Sequence, residues 1–60
     1  MLTGLIHIRK SRKVSQDEAA RVIGVVQSHY RKIENGQVRI DAYRLRALAR
    51  YFGVMMEELF

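Results

Sequence analysis

Gln27, Ser28, Arg31 and Lys32 set an amide, a hydroxyl, a guanidinium and an ammonium side by side along a short stretch of chain. With Gln27 at 0° and about 100° per residue, Arg31, Asn35, Ser28 and Lys32 fall between about 40° and about 140°, one face of a helix. Gln27 lies at the edge of that face and at the tip of the segment. Such groups can read base edges in a DNA major groove, because Gln forms a two-bond pair with adenine, Arg and Lys reach guanine, and Ser bonds to several edges. Val26, Ile33 and Tyr30 fall at about 260°, about 240° and about 300° and define a face expected to turn into a core. His29, at about 200°, sits on the boundary, either as a flank contact to DNA or as a packed surface residue. Any amphipathic helix has a polar face, so the inventory gains weight only from the way the helix is presented.

The presenting unit runs from Ser15 to Gly36, SQDEAARVIGVVQSHYRKIENG. Ser15 with Glu18 three residues on forms a capping box that opens a helix, and Gly24 can adopt the left-handed conformation that stops it. A second helix starts at about Val26 or Gln27 and runs to Asn35, with Gly36 as its stop. A turn this short makes the helices cross steeply and leaves the second one proud of the surface, a helix-turn-helix. Ahead of it, Leu2, Leu5, Ile8 and Arg9 recur at helical spacing, and Val14 is placed as a hydrophobic staple. Behind it, Asp41 caps a helix carrying Ala42, Leu45, Leu48, Ala49 and Phe52, ended by Gly53, and Val54 to Phe60 reads as a short fifth helix. No segment alternates as a strand does, so the expected fold is all-α, a compact five-helix bundle and a single domain over residues 1–60.

The chain has 60 residues and a net charge of +5. A domain of this size buries only about 60% of its unfolded surface, which leaves little room for a catalytic cavity. All eleven bases lie in residues 1–50, whereas residues 51–60 carry only the acids Glu57 and Glu58. The basic part suits a polyanion, although such imbalances also occur in domains that bind none. Without cysteine there is no disulfide or thiolate site. His7 and His29 are far apart and no HExxH spacing occurs, so no metal site is expected. Asp17-Glu18 reads as helix-N-terminal charge rather than a catalytic pair, and the glycines form no phosphate-cradling pattern, so neither an enzyme nor a cofactor is expected. The longest apolar run, Val22 to Val26, is too short for a membrane span, and Arg44, Arg46 and Arg50 spread around their helix rather than opposing a lipid face.

Several motifs together resemble the lambda-repressor-like helix-turn-helix domains of the Cro and Xre type, over nearly the whole chain. They are Ser15-Gln16, Ala20, Gly24-Val25, Gln27-Ser28, Lys32-Ile33-Glu34-Asn35-Gly36, Phe52-Gly53-Val54 and Glu58-Leu59-Phe60. The resemblance implies a bacterial or phage regulator that binds operators as a two-fold dimer. It implies base reading by Gln27, Ser28, Arg31 and Lys32, and phosphate contacts by Gln16, Asn35, Arg39 and Tyr43. Arg9 and Glu34 are charged residues at otherwise apolar helix positions; the resemblance implies that they meet as a buried ion pair, near enough to DNA for Arg9 to touch a phosphate. The alternative is two independent surface charges. The chain departs from the family at Val26 and Met55, where Ser or Thr commonly caps a helix, at Ile40, where proline is common, and at Ala19, where a larger aliphatic residue is usual.

The expected function is therefore sequence-specific DNA binding by a transcriptional regulator of the repressor kind, in the cytoplasm on the nucleoid, with the helix of about residues 27–35 in the major groove. The alternatives are an antitoxin-type protein-interaction module with autoregulatory DNA binding, and a non-specific nucleoid or RNA binder. Met56, Leu59 and Phe60 supply the inner face of the last helix, yet Tyr51, Met55 and Phe60 cannot all turn inward. A homodimer interface of Tyr51, Met55, Leu59 and Phe60 is expected, against an ordinary monomer surface with scattered apolar residues.

Overall fold

A computed structural model describes residues 1–60. Four α-helices follow one another: α1 (Thr3–Ser11), α2 (Gln16–Ile23), α3 (Gln27–Glu34) and α4 (Ala42–Phe52). A 3-10 turn over Met56–Leu59 stands where a fifth helix was expected. The cause is tertiary: the backbone of Glu58, Leu59 and Phe60 closes against Gly4 of α1 and Leu59 is buried, while the Glu58 carboxylate accepts the Met55 backbone N–H at 2.8 Å. No helix is long and apolar enough to cross a membrane.

Local signals set the helix limits. The Ser15 hydroxyl accepts the Glu18 N–H at 3.0 Å while the Glu18 carboxylate accepts the Ser15 N–H at 3.3 Å, so two otherwise orphaned donors at the start of α2 are satisfied reciprocally. Asp41 does the same service for α4, accepting the Arg44 N–H at 3.1 Å. Gly24 ends α2 at φ 73°, a left-handed conformation that glycine adopts without steric cost.

The core consists of Leu5 from α1, Ala19, Ala20 and Ile23 from α2, Tyr30 and Ile33 from α3, Leu45, Leu48, Ala49 and Phe52 from α4, and Leu59. The small Ala19 and Ala20 of α2 share this core with the bulky Tyr30 of α3 and Phe52 of α4, the two helices on which α2 packs. α2 packs on α3 and α4, and α1 packs on α3 and on the 3-10 turn. The last of these contacts is close. A Cβ on Gly4 would lie 2.1 Å from the Glu58 carbonyl oxygen, a spacing only glycine permits.

Candidate nucleic-acid interface

α3 is exposed along one side and buried along the other. Gln27, Ser28, His29, Arg31 and Lys32 are exposed, whereas Tyr30, Ile33 and Glu34 are buried. The ion pairs of the chain are Arg9–Glu34, Arg21–Asp17 and Arg44–Asp41, so Arg31, Lys32 and Arg39 carry charge that no carboxylate of the chain neutralises. The side chains of Gln27, Ser28, Arg31 and Lys32 make no hydrogen bond within the chain and remain available to a ligand.

Val26 does not join Tyr30 and Ile33 in the core. It is 70% exposed. The helical phase that placed it inside holds only for helical residues, and Val26 is the N-cap, extended at φ −75° and ψ 155°. Val25 is the one that tucks against the core, half-buried. With no side chain capping α3, its first N–H groups are left to solvent or a ligand.

The other end of α3 is held firmly. Arg9 Nε donates to Glu34 Oε2 at 2.6 Å and a terminal nitrogen of the same guanidinium to Oε1 at 3.3 Å, while the other terminal nitrogen donates to the Val14 carbonyl at 2.9 Å. Arg9 is 7% exposed and Glu34 2%. These contacts use one N–H on each of the three guanidinium nitrogens and leave one on each terminal nitrogen. Gln16, at the start of α2, donates from its amide to Glu34 Oε1 at 3.1 Å. Burial pushes the Glu34 carboxyl up, but the Arg9 guanidinium, followed by the nearby Tyr30 hydroxyl and the Gln16 amide, outweighs it and holds the group below its ordinary value. The neighbouring Tyr30 hydroxyl is buried without a hydrogen-bond partner, and its pKa is raised, first by burial and then by the Glu34 carboxylate.

Gln16 is thereby brought beside Glu34 and Asn35, the residue that ends α3. Arg39 is exposed in the following loop and Tyr43 on the first turn of α4. Tyr51, Met55 and Phe60 are exposed at the far end of the sequence, but Leu59 is completely buried between α1 and α4 and cannot reach a second copy, which corrects its place in the expected dimer surface. No group of three or more His, Cys, Asp or Glu residues converges as a metal site.

Two structural arginines left no trace in the sequence. Arg44 Nε donates to the Ile23 carbonyl at 3.0 Å, and Arg12 donates to the Phe52 carbonyl at 2.7 Å. Each closes the C-terminal end of a helix where carbonyls lack partners and negative dipole collects. Their partners lie 21 and 40 residues away, beyond the reach of any local spacing rule.

No curated protein and no solved structure matched the chain. A helix-turn-helix family model matches residues 5–59, from within α1 to the end of the 3-10 turn. The match covers most of α1 and all of the bundle from there to the 3-10 turn, including α3 with its exposed polar face and its anchored end. The chain therefore belongs to the helix-turn-helix family of Cro/C1 type, the lambda-repressor-like DNA-binding regulators.

Proposed function

We propose that this protein is a sequence-specific transcriptional repressor that occupies an operator by inserting α3 into the major groove. Gln27, Ser28, Arg31 and Lys32 read base edges, with His29 at the flank. Gln16, Asn35, Arg39 and Tyr43 hold phosphates on either side and set the register. The protein acts in the cytoplasm on the nucleoid, without metal or cofactor. It acts as a homodimer joined through Tyr51, Met55 and Phe60, on a palindromic site whose half-sites lie about one helical turn, roughly 34 Å, apart. The observation that carries the reading is the run of exposed, unpaired hydrogen-bonding groups on α3, a helix whose opposite side is fixed in the core.

Selection of bound sites from a random duplex library tests it directly. Base contacts discriminate sequences and phosphate contacts do not. Gln27→Ala should lose roughly 1 to 3 kcal/mol on the preferred site and relax the preference at one base pair, while Arg39→Ala should weaken all duplexes and lower the salt slope by about one. An unchanged preferred sequence in Gln27→Ala would remove α3 from the role of reader.

A further inference from the structure

We infer that Val26 reads the 5-methyl group of a thymine at, or one step beside, the base pair that Gln27 engages; the inference rests on α3 entering the major groove. Exposure alone would mean little, since single apolar residues on a surface are ordinary. Among the exposed large apolar side chains, Met1, Val26, Tyr43, Tyr51, Met55 and Phe60, only Val26 belongs to the α2–α3 unit, and it adjoins the exposed Gln27 and Ser28. Its backbone is fixed, because its carbonyl accepts the N–H groups of His29 at 3.1 Å and Tyr30 at 3.0 Å. Its β-branched side chain has few rotamers to lose on contact. Valine is also a poor N-cap, so this position forgoes a hydrogen bond to the helix start that Ser or Thr would supply. An apolar side chain there has one complementary partner on the unmodified base edges of the major groove, the thymine methyl.

The test uses the duplex chosen by site selection, with each thymine replaced in turn by deoxyuridine, which removes the methyl and leaves base pairing intact. One thymine in each half-site should show about a fourfold loss of affinity, the worth of one buried methyl. Val26→Ser should bind the thymine and deoxyuridine duplexes equally, and Val26→Thr, which keeps a γ-methyl, should restore part or all of the difference. Both variants supply a capping hydroxyl and should melt at or above the parent temperature, which separates lost recognition from lost folding. The inference is overturned if no thymine is sensitive, if Val26→Ser keeps the sensitivity, or if Val26→Thr loses it as fully as Ser. In each of those cases, a Gln27→Ala variant that still relaxes sequence preference leaves α3 as the reader. If no duplex is preferred over another, the reader assignment and this inference fall together.

Discussion

Glu34 holds three helices at one carboxylate, receiving Arg9 from α1 and Gln16 from α2 while belonging to α3. Removing one side of a buried pair leaves the other charge without compensation, so Glu34→Gln should lose about 3 to 5 kcal/mol. That is a large share of the roughly 5 to 15 kcal/mol that holds a domain together. Urea melts check it, and a loss under about 1 kcal/mol, the range of exposed pairs, would return the two residues to independent charges. The pH dependence has a definite sign. Because the folded carboxyl sits below its usual 4.5, it adds stability above that value and loses it as pH falls further, so the melting temperature should drop on the acid side. Asp41 is the other carboxyl held low, first by its hydrogen bond from the Arg44 guanidinium, but that pair lies at the surface in solvent, so Asp41→Asn should leave most of the acid loss in place. At this scale the sequence made the polar face of α3 visible, because exposure follows helical phase. The position of Val26 was hidden because phase ends where the helix does. Arg9 and Glu34 stood out as charges on apolar positions, yet periodicity within each helix says nothing about which distant residue meets it.

Between elements, two glycines distinguish conformational from steric necessity. Gly24 has open space where a Cβ would go, so Gly24→Ala pays only for the left-handed backbone, about 1 to 2 kcal/mol. Gly4 is an ordinary helical residue, but its missing Cβ would collide with the backbone of Glu58, Leu59 and Phe60, atoms that cannot swing aside as a side chain would. Gly4→Ala should therefore cost more, toward the upper end of the roughly 1 to 3 kcal/mol seen for overpacking. Thermal melts of the two variants give the order, and the reverse order would contradict the close seating of α1 on the 3-10 turn. The limits of α2 and α4 were legible from Ser15, Gly24, Asp41 and Gly53, since caps act within one turn. The form of the last element was not, because Val54 to Phe60 carries no local sign that it must close against Gly4.

Across the whole molecule, bases occupy the first fifty residues and the exposed apolar side chains Tyr51, Met55 and Phe60 lie beyond them. For the proposed dimer, sedimentation from low to high micromolar concentration should show association of the 7.0 kDa chain. A single monomer throughout, binding its selected site one to one, would remove the dimer and leave this end for a different protein partner, as an antitoxin-type module would use it. The seating of α1 on the 3-10 turn also bears on how the chain reaches its fold. The crossed helices α2, α3 and α4 are consecutive, so their contacts close short loops, whereas Gly4 meets Glu58 only after nearly the entire chain has been drawn together. Contacts of such long sequence separation are expected to form late, after the rate-limiting step. In stopped-flow kinetics, Gly4→Ala should accelerate unfolding and leave refolding almost untouched, while Ala20→Gly, inside α2, should chiefly slow refolding.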